Sequence, residues 1–170
     1  MDIPISSTTV FVIIAFSFIL LLALWWSQNI NNSNSSLATF SSSLNPSNEV
    51  PPITNAPMAM GLTTGNLTTN RNIFNYNVTV QGLSGPPIAA HLHRAPTGQN
   101  GPIVKTLNLQ PLTSNGMNIW RAQGQWTNID TEPLTNTLAN DLLNGNIYVN
   151  VHTQLNPNGE VRGQLHTTKL

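Results

Sequence analysis

Three of the four histidines fall in two short segments with the same character: Ala90-His91-Leu92-His93 and Tyr148-Val149-Asn150-Val151-His152-Thr153. Side chains of a strand alternate between its two faces, so His-x-His places both imidazoles on one face, roughly 6–7 Å apart at the backbone. That spacing lets His91 and His93 reach one metal ion. His152 from a neighbouring strand completes a three-nitrogen set of the kind that suits copper or zinc. Asn150 and Tyr148 would then orient the ligands from behind. A second use competes with this one. Each histidine precedes a turn rich in Gly, Pro and Asn, so His91 or His93 can brace the loop from Gly98 to Pro102, and His152 the turn from Asn156 to Gly159, by hydrogen bonding to backbone.

Other chemistry has little material. There is no Cys, which excludes disulfides, thiolate metal sites and a thiol nucleophile. No Ser-His-Asp spacing or paired carboxylates occur, and no catalytic residue is assigned. Glu160 and Arg162 share a strand face and read as a surface ion pair, which contributes about 0–1 kcal/mol. His166 reads as exposed near the C-terminus.

The elements that must position the histidines are strands. Phe74, Tyr76, Val78 and Val80 alternate with Asn75, Asn77, Thr79 and Gln81, the period of a half-buried strand. Ile88, Ala90 and Leu92 oppose Ala89, His91 and His93; residues 103–109 give another strand. Trp120, Ala122, Gly124 and Trp126 form one face of the next, after the turn Ser114-Asn115-Gly116. One helix interrupts the series, with Thr131 as N-cap, Pro133 in its first turn, a stripe of Leu134, Leu138 and Leu142, and Gly145 as its stop. Then Ile147, Val149 and Val151 alternate with Tyr148, Asn150 and His152, and Val161, Gly163 and Leu165 with Glu160, Arg162, Gln164 and His166. The pattern predicts an all-β fold, an antiparallel Greek-key β-sandwich with one short helix. In it His91, His93 and His152 all leave the core face of their strands.

The charge is as unusual as the pattern. Charged residues make up 7% and the formal net charge is zero, so the chain has no electrostatic footprint for nucleic acid. Residues 10–26 are an unbroken apolar run with Ser17 its only polar member. As a helix its 17 residues span roughly 25 Å, and uncharged residues 3–9 extend it toward the about 30 Å of a bilayer core. Trp25 and Trp26 suit the interface, and no Lys or Arg precedes the run as a signal peptide would require. A single N-terminal transmembrane helix contacting the membrane through residues 3–26 is therefore expected. The protein would be secreted instead if the segment were cleaved, with Ser36-Leu37-Ala38 as the late candidate site. The expected organisation is residues 1–27 as anchor or signal, 28–38 as polar linker and 39–170 as the β-sandwich domain.

Several of these segments, taken together, resemble the chordin-type (CHRD) domain family. They are Asn48-Glu49-Val50-Pro51-Pro52; Ala89-Ala90-His91-Leu92-His93 with Asn100-Gly101-Pro102; Leu142 to Gly145 leading into Tyr148-Val149-Asn150-Val151-His152-Thr153; and Gly159-Glu160-Val161-Arg162-Gly163-Gln164-Leu165. The resemblance covers about residues 39–167 and departs at Arg94, where the family has Gly. It implies an extracellular β-sandwich module of the single-domain, prokaryotic, membrane-anchored type, without a settled activity. A His-x-His strand also carries copper in the sandwich of copper–zinc superoxide dismutase, but the zinc cluster and disulfide of that enzyme have no counterpart here. The expectation is thus a non-enzymatic binding or structural module on the extracytoplasmic side of a membrane, with a cell-envelope or membrane-protein partner. The alternative is a copper- or zinc-binding protein using His91, His93 and His152.

Overall fold

The computed structural model describes residues 35–114 and 117–168. The apolar run and nearly all of the linker lie outside the described residues. Among the described residues no helix is long and apolar enough to cross a membrane.

Among the described residues, ten strands, one α-helix and a 3-10 turn over Pro46–Asn48 make an all-β domain of two antiparallel sheets. The strands are β1 (Ser36–Leu44), β2 (Met60–Thr68), β3 (Ile73–Gln81), β4 (Pro87–Arg94), β5 (Ile103–Thr106), β6 (Gln110–Ser114), β7 (Met117–Thr127), β8 (Ile147–Thr153), β9 (Val161–Gln164) and β10 (His166–Thr168). Helix α1 (Asn136–Leu143) joins β7 to β8. One sheet has the order β10-β1-β2-β3-β7-β6, the other β5-β4-β8-β9. Between them lies one apolar core, to which Phe40, Leu67, Phe74, Val78 and Trp126 come from the first sheet and Ala90, Leu92, Val149, Val151 and Val161 from the second. Phe40 and Phe74 meet edge to face at 5.5 Å. Each large side chain so buried contributes about 1.5–3 kcal/mol.

The predicted alternation of β3, β4, β7, β8 and β9 is present, with Trp126 in the core and Trp120 part-buried. Four departures have physical reasons. β1 and β2 carry no apolar alternation, because Ser42, Thr63, Gly61 and Gly65 occupy positions usually given to Val or Ile. The domain therefore begins at Ser36 rather than 39, and cleavage after Ala38 would remove a segment paired with Leu67 and Thr68 of β2. The strand expected over 103–109 ends at Thr106, because buried Leu107 begins the passage of the chain from one sheet to the other. The helix cap is Thr135, whose side chain accepts from Leu138 N at 3.2 Å, not Thr131. Residues 131–134 instead form a bend and an irregular stretch against Trp126, whose indole Nε1 donates to Glu132 O at 2.7 Å.

The last departure concerns Glu160 and Arg162, which are not a surface pair. Glu160 is 0% exposed and Arg162 2%. Glu160 accepts from Ser84 N (2.6 Å), Ser84 Oγ, Thr153 Oγ1 (2.5 Å) and Asn156 Nδ2 (2.8 Å), which ties the β3–β4 connection and the β8–β9 turn to one buried carboxylate. Removing it strands several buried donors, each costing about 1–3 kcal/mol. Glu160→Ala should therefore lower the unfolding free energy by about 3 kcal/mol or more in chemical denaturation, with Glu160→Gln intermediate.

Candidate functional site: a cluster of three histidines

β4 and β8 are neighbours, and their register sets the site. Ala89 pairs with His152, His91 with Asn150 and His93 with Tyr148. The side chain opposite His152 is only a methyl group, so its ring can swing toward the diagonal neighbour His91, a distance that long side chains bridge. The ring centroids of His91 and His152 are 5.1 Å apart, those of His91 and His93 5.6 Å, and those of His93 and His152 6.2 Å. One ring nitrogen from each histidine lies within 4.8 Å of the others. The three expected residues are thus brought together. His93 and His152 are buried, and His91 is half-buried.

The backbone assigns their protons. His93 Nδ1 is 2.9 Å from Gly101 O, and His152 Nδ1 is 3.0 Å from Pro157 O. A carbonyl only accepts, so both Nδ1 atoms carry hydrogen and both Nε2 atoms carry a lone pair. His93 Nε2 is buried and has no hydrogen-bond partner. His152 Nε2 faces His91 Nδ1 at 3.2 Å. Since the former accepts, His91 Nδ1 holds the shared hydrogen. The two uses weighed from the sequence, bracing turns and presenting ligands, are therefore carried by opposite sides of the same rings. An Nδ1–H on a carbonyl with Nε2 turned inward is the arrangement in which imidazoles ligate metals. The 3.2 Å separation also matches the about 3.3 Å between two nitrogens bound at about 2.05 Å and a tetrahedral angle.

Electrostatics keep the cluster neutral. Burial pushes the His152 imidazole down from 6.5 to about 4, helped by His91 and His93 and opposed by the Pro157 carbonyl. Burial likewise lowers His93, against the Gly101 carbonyl and with His91 and Arg162, and it lowers His91 against the nearby Glu132 carboxylate. Neutral imidazole is the form that binds metal.

The face carrying the cluster is covered, which alternation alone did not foretell. All seven residues of β8 are buried. Tyr148 lies flat against His93, centroids 4.9 Å apart and 7° from parallel, and the Arg162 guanidinium sits 3.6 Å from the Tyr148 ring centre. β4 and β9 flank β8, so the stack runs His93, Tyr148, Arg162 across three strands. The loop before β5 is clamped onto it. Arg162 donates to Asn100 Oδ1 (2.9 Å) and Gln99 O (2.7 Å), Gly101 N donates to Tyr148 Oη (3.2 Å), and Asn100 Nδ2 donates to Val50 O (2.7 Å). At Gly101 any side chain would overlap the Arg94 carbonyl, so this loop needs Gly there. Arg94, the departure noted above, turns outward to Asp141 of α1 at 2.7 Å.

Sequence reasoning missed Arg162 and Glu49 as parts of this region. Val161-Arg162-Gly163 sets a charged residue between apolar and Gly neighbours, but Glu160 and Arg162 on one face fit a solvated ion pair equally well, so their spacing carried no signal of burial. Glu49 is buried, its carboxyl pushed up from 4.5 to about 7 by burial, against Arg162 and a hydrogen bond from Asn150.

The fold and this site together define an antiparallel β-sandwich module with a histidine cluster on its smaller sheet. The family model of the CHRD domain matches residues 40–165, and the chain belongs to that family. No curated protein and no solved structure matches the chain.

His152 and Glu49 oppose each other in pH. Unfolded His152 gains its proton near 6.5 and folded His152 only near 4, so its contribution to stability is full above 6.5 and falls as pH drops to about 4. Folded Glu49 keeps its proton to about 7, while the unfolded side chain loses it near 4.5, so its contribution falls as pH rises from 4.5 to 7. Side-chain NMR titration of the metal-free protein should find the His152 ring still neutral at pH 5. Full protonation there would contradict this environment.

Proposed function

We propose that this protein is a metal-binding module of the cell envelope, with copper or zinc held by His91, His93 and His152. The observation that carries this is the unpartnered, buried Nε2 of His93 beside the His91–His152 pair, with two of the rings turned inward by carbonyl bonds on Nδ1. Three imidazoles and no thiolate suit both metals, and divalent copper binds such a set more tightly than zinc. With neutral rings at pH 7, a cation bound at His91 Nδ1 would shift the shared hydrogen to Nε2 of the same ring and would displace no net positive charge. The site has no assigned substrate-activating residue, so holding or delivering metal is favoured over catalysis.

The module is placed outside the cytoplasm as a Greek-key-type sandwich on a single N-terminal span. The apolar run of residues 10–26, the uncharged polar linker and the family resemblance support that placement. Its partner would be a membrane or envelope protein.

Metal analysis of protein purified without chelators tests the site. The native chain should carry about one copper or zinc, and His91→Ala/His93→Ala should carry none. Losing even a supporting partner of a metal ligand costs about 10–100-fold in affinity, and losing two ligands costs more. Equal metal in both proteins would reject the site. Recovery of the full chain in the soluble cytoplasmic fraction would reject the placement.

A further inference from the structure

A cleft of about 740 Å³ opens where the start of the domain meets β9. Ser42, Glu49, Thr97, Arg162, Gln164 and His166 are among its lining residues. It is not the histidine site, none of whose three imidazoles lines it.

What distinguishes this cleft is the kind of atom left without a partner. Glu49 Oε1, Gln164 Oε1 and Ser42 Oγ are all buried and unpartnered. The remaining atoms of the two longer groups are committed. Gln164 Nε2 donates to Ala95 O at 3.0 Å and Gly145 O at 2.7 Å, so its amide cannot turn around to offer a donor. Glu49 Oε2 accepts from Asn150 Nδ2 at 3.3 Å. Glu49 itself is 6% exposed, and Ser42 likewise 6%. A buried acceptor without a donor is costly, about 1–3 kcal/mol each and more for a charged group. The cleft therefore asks for a ligand that donates hydrogen bonds.

Its charge narrows the class. An anion does not fit above about pH 7, because the unpartnered atoms are then a Glu49 carboxylate oxygen, the Gln164 amide oxygen, which only accepts, and one hydroxyl. A divalent cation does not fit either. Calcium sites draw on several carboxylate and carbonyl oxygens, whereas Glu49 is the single carboxylate in this lining and Arg162 lies beside it. A sugar would want an aromatic platform, and the sole aromatic ring in the lining is that of His166. What remains is a compact monovalent donor with several hydrogens. An ammonium supplies three donors and one positive charge to three oxygens, one of them on the carboxylate.

We infer that the cleft at Glu49, Gln164 and Ser42 is a binding site for an alkylammonium group, either a small free amine or the side chain of a lysine. The carboxylate of Glu49 is its counter-charge, and Gln164 Oε1 and Ser42 Oγ take its remaining hydrogens. Arg162 and His166 are the other charged or titratable groups that face the cleft.

The test is an amide-resolved NMR titration of the full chain at pH 8, where Glu49 is ionised and an alkylammonium still charged, with methylammonium chloride, and separately with Nα-acetyl-lysine methylamide, each at ionic strength matched by sodium chloride. Saturable shifts at Ser42, Glu49 and Gln164, with a dissociation constant tighter than about 10 mM, are expected for at least one probe. Methylammonium alone would identify a small-amine site, and the lysine derivative binding more tightly would identify a lysine site. Glu49→Gln keeps the shape and removes the charge, and should weaken binding about tenfold or more. Ser42→Ala removes a hydroxyl that bonds nothing in the fold, and should weaken it by a smaller factor. His91→Ala, at a ligand that neither lines the cleft nor touches the Tyr148–Arg162 stack, should leave it unchanged, so the result is separable from that of metal binding. No saturable shift with either probe, or equal binding by Glu49→Gln, would overturn the inference.

Discussion

Strand β8 is buried on both faces, and most of the domain can be understood as the means of making that tolerable. Its core-facing residues, Ile147, Val149 and Val151, need only apolar neighbours. The opposite face presents Tyr148, Asn150 and His152, whose polar atoms must find partners once water is excluded. The partners come from outside the sheet. Gly101 N meets Tyr148, the Glu49 carboxylate meets Asn150 and the Pro157 carbonyl meets His152. Loops thus settle where the strand's polar groups require them, and Arg162 and Glu160 anchor those loops from β9 and the turn before it. Without a covered β8, neither the histidine cluster nor the adjoining cleft would be shielded from bulk water.

This explains why some of the molecule was legible in the sequence and some was not. A strand that alternates Val with Tyr, Asn and His announces its core face directly, so β3, β4, β7, β8 and β9 could be placed. The meeting of His152 with His91 and His93 was a reasonable wager, because paired strands bring same-face residues together. Loop cover leaves no periodic trace. Nothing in the spacing of Glu160 and Arg162 distinguishes a solvated pair from two buried anchors serving different loops. The first two strands failed for another reason. Their inward positions hold Ser, Thr and Gly, which a reader of hydrophobic period takes for linker, although Phe40, Leu44 and Leu67 reach the core.

The histidines also show why bracing a turn and presenting a ligand are poor alternatives. An imidazole has two nitrogens with opposite needs. A carbonyl on one fixes the hydrogen there and leaves the other with its lone pair. The Gly101 and Pro157 carbonyls therefore do not occupy the rings so much as orient them. The same logic makes Tyr148 more than filler. Stacked between His93 and Arg162, it holds the imidazole plane, and stacks of this kind are worth about 0.5–1.5 kcal/mol beyond burial.

Beyond its side chain, Arg162 has a backbone role. Its N–H donates to Asn45 O at 3.2 Å, and its carbonyl accepts from Asn45 N at 3.0 Å, a lone bridge between the end of β1 and β9. An open strand edge invites pairing with another chain, and proteins usually blunt it with Lys or other charges. This chain is 7% charged and has few to spare. The bridge stitches the β9 edge to the opposite sheet, so the smaller sheet offers a neighbouring molecule chiefly β5, which is four residues long. Where charge is scarce, closure and brevity of edges take over the task of keeping copies of the domain apart.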